Sequence, residues 1–109
     1  MYTVDLHPKG ATVEDALYNL KIAIKQARGS KDKTLCLIVG YGSTGGTHKI
    51  KTNVLLELEE LKKKNQIKDF ILGSEVDIFS VKYQTLKGKE LIDKECFKRR
   101  NPGEIIVIL

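Results

Sequence analysis

Five consecutive apolar residues, Leu35-Cys36-Leu37-Ile38-Val39, run straight into a glycine-dense stretch, Gly40-Tyr41-Gly42-Ser43-Thr44-Gly45-Gly46-Thr47, and then into a helix-like run from Lys49 to Lys64. An unbroken apolar run leaves no face of a strand for solvent. It therefore predicts a central strand over Lys33 to Gly40, covered on both faces or nearly so, inside a sheet flanked by helices. The rest of the chain agrees with that setting. Met1 to Leu6 reads as a strand, and Thr12 opens a helix as its N-cap, with Asp15 three residues on. Val13, Ala16, Leu17, Leu20, Ala23, Ile24 and Ala27 then recur at helical steps, and Gly29 is placed to end the helix. Ile50, Val54, Leu58 and Leu61 mark the apolar stripe of a second helix. Ile67 to Leu72 and Glu104 to Leu109 read as two further strands.

The predicted order is β-α-β-α-β, a connection of about thirty residues, and a last β. At 109 residues the chain (1–109) fits one domain and is too short for two. The connection, residues 74–101, holds Val76, Ile78, Phe79, Val81, Tyr83, Leu86, Leu91, Ile92 and Phe97, too many apolar groups for an unstructured linker. We expect an ordered excursion there, with Lys89 to Phe97 as a short helix.

No apolar run approaches the ~20 residues of a membrane span, and the first residues lack the pattern of a signal peptide. The expectation is a cytoplasmic protein without a membrane partner. Cys36 and Cys96 have no zinc or redox spacing and read as buried thiols. Lysines and arginines exceed acidic residues by a net +5, which favours polyanionic partners. Basic residues cluster at Lys49 and Lys51, at Lys62 to Lys64, and at Lys98 to Arg100. The middle cluster complements the dipole at a helix C-terminus. Lys49 and Lys51 are expected in the first turn of their helix, where positive charge is unfavourable unless an anion binds beside it.

The glycine stretch itself suits a phosphate, because glycine backbones bring N–H groups close to an anion and the following helix adds unpaired N–H donors. Gly40, Gly45 and Thr47 fall where a nucleoside-triphosphate P-loop places its glycines and hydroxyl, but Gly46 occupies the lysine position. Without that charge the triphosphate reading fails and a general phosphate-binding turn remains. Gly40, Gly42, Ser43, Thr44, Gly45, Gly46, Thr47, Lys49 and Lys51 are its candidate residues. Asp5 and His7, two residues apart in an extended segment, leave the strand on the same face. A carboxylate that orients an imidazole beside a phosphate loop suits proton transfer on a phosphodiester. Asp5 as a turn cap and His7 as a strand-end residue is the alternative. Asp5, His7 and His48 lack a metal-ligand spacing, so no metal site is assigned, while a divalent metal as a cofactor stays open.

Asp5-Leu6-His7 before Thr12-Val13-Glu14-Asp15-Ala16-Leu17, Ile38-Val39-Gly40-Tyr41-Gly42 before a basic helix, and Asn101-Pro102-Gly103 before an apolar last strand together resemble the Smr (small MutS-related) domain family. The resemblance spans nearly the whole chain. It implies a two-layer β-α-β-α-β-β sandwich with a mixed four-stranded sheet, similar to the C-terminal domain of translation initiation factor 3. It also implies binding of DNA or structured RNA, with nicking endonuclease activity in parts of the family and occurrence within longer multidomain proteins. By position, Asp5 and His7 stand at the family's D-x-H pair, and Gly40 and Gly42 at its G-x-G. Val39 stands where the family has His or Thr, and Pro8 where it has Gly; the loop is longer, and His48-Lys49 replaces Leu-Arg. The leading reading is a nucleic-acid-binding domain that uses Asp5 and His7 for cleavage. The alternatives are a non-catalytic nucleic-acid-binding module and a domain that binds a small phosphate ligand or another protein.

Overall fold

The computed structural model describes residues 2–40, 45–92 and 101–109, with only the backbone of residues 45–48. It is an α/β fold with elements β1 (Tyr2–Asp5), α1 (Val13–Gly29), β2 (Thr34–Ile38), α2 (Gly45–Lys63), β3 (Asp69–Leu72), a 3-10 turn (Gly73–Glu75), α3 (Val81–Gly88) and β4 (Glu104–Ile108). The mixed sheet has the order β1-β2-β4-β3. β1 and β2 are parallel, and β4 runs antiparallel between β2 and β3, with Ile38 opposite Glu104 and Leu72 opposite Ile105. Among the described residues no helix is long and apolar enough to cross a membrane.

α1 starts where its sequence says it must. Thr12 accepts from the Asp15 N–H at 3.1 Å and its own N–H donates to the Asp15 carboxylate at 3.1 Å, a capping box worth about 1 kcal/mol. The inward face carries Ala16, Leu20, Ala23, Ile24 and Ala27, all buried, and three alanines let α1 lie close to its neighbours. Together with Ile50, Val54, Leu58 and Leu61 of α2, it covers Leu35, Leu37, Ile105 and Val107 on one face of the sheet.

The other face has its own cover. Ile71, Ile106 and Ile108 point away from α1 and α2, and Val76, Tyr83, Leu86 and Ile92 bury them. Over β3 and β4 the sheet therefore carries helices on both faces, a partial third layer beyond the expected two. The described part of the excursion, residues 74–92, is structured, but its helix differs from expectation. Ser80 accepts from the Tyr83 N–H at 3.2 Å and starts α3 at Val81, and the helix ends before Glu90; residues 93–97 of the expected helix lie outside the described residues. Burial of Tyr83 and Leu86, three residues apart, fixes that helix upstream of Lys89.

Helix ends also depart from expectation. Gly29 is the last residue of α1, and the left-handed position falls two residues later on Lys31 (φ 61). Asp32 N–H to Ala27 O and Lys31 N–H to Arg28 O complete a Schellman motif. The same pair of bonds closes α2 at Asn65 (φ 59) and α3 at Glu90 (φ 59). Asn tolerates this conformation, whereas Lys and Glu are strained in it. Glu90→Gly should raise stability by about 0.5–1 kcal/mol, read as a higher urea midpoint at unchanged slope. An unchanged midpoint would show that no strain resides there.

β3 is an edge strand, yet its backbone is guarded. The Phe70 N–H donates to the Asp69 carboxylate at 2.8 Å and the Leu72 N–H to Glu75 at 3.4 Å, so neither is offered to a further strand. Lys62 (3.1 Å) and Lys82 (3.5 Å) hold Asp69, and Lys82 also lies 4.8 Å over the Phe70 ring. Burial works to raise the Asp69 carboxyl, but the Phe70 N–H and the two ammonium groups outweigh it and hold it below its ordinary value of 3.8. A lowered folded-state value means stability that is present above the unfolded value and is lost as pH falls through the folded one. Asp69→Asn should therefore flatten the acid limb of thermal stability below about pH 4 and cost about 1 kcal/mol at neutral pH. Equal acid sensitivity of the two proteins would remove Asp69 from that role.

Candidate functional site

The C-terminal ends of parallel strands joined by crossover helices gather at one sheet edge, where ligand sites of α/β sheets form. Leu6 anchors this edge. Its side chain is fully buried and its N–H donates to the Ile38 carbonyl at 2.8 Å, so the chain still follows β2 one residue beyond β1. Alternation then turns Asp5 and His7 to the other side together. The His7 N–H donates to Asp5 Oδ1 at 2.8 Å, and His7 Nδ1 lies 2.8 Å from the same oxygen and 3.2 Å from the Ile38 carbonyl. Both neighbours of Nδ1 are acceptors, so Nδ1 carries hydrogen. Nε2 has no hydrogen-bond partner among the described residues, which leaves it available to a ligand. The imidazole is about one-third exposed and the carboxylate about half, so both are within reach of a substrate.

The end of β2 is joined to the start of β4. Val39 and Gly40 both donate their N–H groups to the Gly103 carbonyl, at 2.8 and 3.1 Å, and Gly40 takes φ 78, open only to glycine without strain. Gly103 is required for a different reason: a Cβ there would lie 3.2 Å from the Gly40 carbonyl carbon. The turn before β4 is closed by Asn101, whose side-chain oxygen accepts from the Gly103 N–H at 2.8 Å. Lys51 reaches the same turn from α2 and donates to the Pro102 carbonyl at 3.1 Å. Asp5, His7, Gly40, Lys51 and the 101–103 turn thus form one continuous edge.

The glycine stretch divides. Gly42, Ser43 and Thr44 lie outside the described residues, and Gly45, Gly46 and Thr47 are the first residues of α2, not loop. Since the helix begins at Gly45, Lys49 and Lys51 sit beyond its first turn, and the expected conflict with the dipole does not arise. Lys49 is exposed, whereas Lys51 is half-buried and tied to Pro102. Among the described residues no three His, Cys, Asp or Glu side chains converge as a metal cradle. Cys36 is buried in β2, and Cys96 lies outside the described residues. Sequence reasoning missed the Ile38 and Pro102 carbonyls as partners, because a backbone acceptor has no sequence signature. The Asn101-Pro102-Gly103 turn was visible as a motif but not as a neighbour of Gly40. No protein-family model, curated protein or solved structure matches this chain.

Proposed function

We propose that the chain is an Smr-like nucleic-acid-binding domain that meets a phosphate backbone along the edge of Gly40, Lys51 and the 101–103 turn, with Asp5 and His7 acting on the phosphodiester. The observation that carries this reading is the 2.8 Å contact between His7 Nδ1 and Asp5, backed by the Ile38 carbonyl, which leaves Nε2 without a partner among the described residues. In that state Nε2 accepts the proton of an attacking hydroxyl or water and, once protonated, returns one to the departing oxygen. Lys51 uses one of its three N–H donors on Pro102, and the other two are available to a phosphate oxygen. Two crossover helices on one face of a mixed sheet also agree with the architecture the resemblance implies.

The test is incubation of the purified chain with supercoiled DNA and with structured RNA, with and without magnesium. Nicked circles or discrete RNA fragments are the expected result. One observation favours binding without cleavage: Val39, at the position where the family has His or Thr, is fully buried and contributes only its backbone N–H. Binding that falls steeply with salt but leaves every substrate intact would establish that second reading. A weak salt response would instead indicate a pocket for a small phosphate ligand.

A further inference from the structure

The pole opposite Asp5 and His7 carries a cluster of exposed basic residues. α1 ends there, and Lys33 and Lys68 precede β2 and β3, while β4 finishes beside them. Two surface depressions meet at Arg28. One, of about 350 Å³, is bordered by Arg28, Lys31, Lys33 and Lys68 together with Asp32 and Glu90. The other, of about 260 Å³, lies between α1 and α2, with Lys21, Lys25 and Arg28 on its rim and Ile24 and Leu61 on its floor. Around these two depressions six cations, Lys21, Lys25, Arg28, Lys31, Lys33 and Lys68, face two carboxylates, Asp32 and Glu90.

Lys51, Lys62, Lys63 and Lys82 are each held by a carbonyl or a carboxylate of the protein. Among the described residues Lys21, Lys25, Arg28, Lys31, Lys33 and Lys68 are all exposed, and none has a side-chain hydrogen bond or ion pair. Lys9, Lys49, Lys64, Lys87 and Lys89 are, among the described residues, also exposed and without a side-chain partner, but none of them borders these two depressions. Helix dipoles do not account for the group. The C-terminus of α1 favours cations in its last turn, which holds Arg28, with Lys31 just beyond the helix end. Lys21 and Lys25 lie further back on α1, and Lys33 and Lys68 lie outside helices. Among the described residues only Asp32 and Glu90 offset their mutual repulsion in these depressions. Lys21, Lys25 and Arg28 also share one helical stripe, spanning about 10 Å along the axis, and the stripe leads directly into the larger depression.

We infer that this pole is a second contact for a polynucleotide backbone, separate from the Asp5–His7 edge, with phosphates neutralised along Lys21, Lys25 and Arg28 and in the depression beyond. The inference rests on the nucleic-acid reading above and extends it to a different surface. Several phosphate contacts release several counterions, so the pole should dominate the salt dependence of binding. The probes are a fluorescein-labelled 20-nucleotide DNA strand, its RNA counterpart and a duplex, with labelled polyglutamate as a polyanion of protein type.

Lys25→Gln, Arg28→Gln and Lys33→Gln, combined in the full chain, remove three exposed charges and keep the side-chain stems, and thermal melting checks the fold. Affinity for an oligonucleotide should fall at least about tenfold, and the slope of log K against log salt should flatten by about 2–3 units. Lys51→Gln, measured in parallel, should remove at most one unit. A folded triple variant with unchanged affinity and slope overturns the second contact, and if Lys51→Gln abolishes binding in the same series, the edge site stands alone. The reverse pattern supports the pole and removes the edge. Wild-type protein that binds no oligonucleotide at low salt overturns both, and tighter binding to polyglutamate than to any oligonucleotide reassigns the pole to an acidic polypeptide.

Discussion

His7→Ala is expected to slow phosphodiester cleavage by about 10²- to 10⁴-fold while leaving oligonucleotide affinity nearly unchanged. The imidazole supplies the group that moves the proton, whereas binding comes from backbone N–H groups and lysines that the substitution does not touch. Asp5→Asn should cost less. An amide oxygen still accepts from the His7 N–H, and the Ile38 carbonyl at 3.2 Å still holds hydrogen on Nδ1, so the ring keeps its orientation and loses only the neighbouring negative charge. Because Asp5 acts through His7, the double variant should be no slower than His7→Ala alone. Single-turnover rates of nicking on one supercoiled substrate, with anisotropy on a labelled oligonucleotide as the binding measure, separate these cases. Full activity in His7→Ala would end the proton-transfer assignment, and additive losses in the double variant would give Asp5 a separate role.

Gly103→Val should disrupt both fold and site. The new side chain meets the Gly40 backbone at 3.2 Å and the Asn101 side-chain oxygen at 3.2 Å, and the Gly40 backbone cannot swing aside as a flexible side chain would. Relief requires the 101–103 turn to move away from β2, at the expense of the two bonds that Gly103 O accepts from Val39 and Gly40. A destabilisation of about 2–3 kcal/mol follows from overpacking, which for a domain of this size lowers the melting temperature by roughly 10 °C. Lys51 would lose its Pro102 partner in the same movement. Leu86→Ala supplies the comparison. It opens a cavity in the cluster on the far face, with a similar or larger loss of about 2–5 kcal/mol, and leaves the site edge in place. Well below either melting temperature, Gly103→Val should bind nucleic acid more weakly per folded molecule than Leu86→Ala. Equal binding by the two would mean that the turn serves stability alone.

Local pattern was sufficient wherever the determining contacts are close in sequence. Thr12 and Asp15 predict their own capping box because both partners lie within one helical turn, and the recurrence from Ala16 to Ala27 states which face of α1 must be buried. The apolar runs 35–39 and 105–108 announce strands covered on both faces, since no residue in them suits water. The two-residue spacing of Asp5 and His7 already places them on one side of the chain.

Tertiary structure decided what depends on which segments meet. The insertion of β4 between β2 and β3 follows from burying Ile105 and Val107 under α1 and α2 while Ile106 and Ile108 face α3, a non-local solution that several strand orders could satisfy on pattern alone. The same cover fixes the third helix at Val81–Gly88, ahead of the expected segment. Left-handed helix ends fell on Lys31 and Glu90 because the chain had to turn there toward its next packed segment, overriding the preference for glycine. Site and pole share this origin. Charge and hydrogen-bonding type are written in the residues, but the partners of His7, Gly40 and Lys51, and the convergence of Arg28 with Lys33 and Lys68, are set by distant backbone brought together only when the sheet closes.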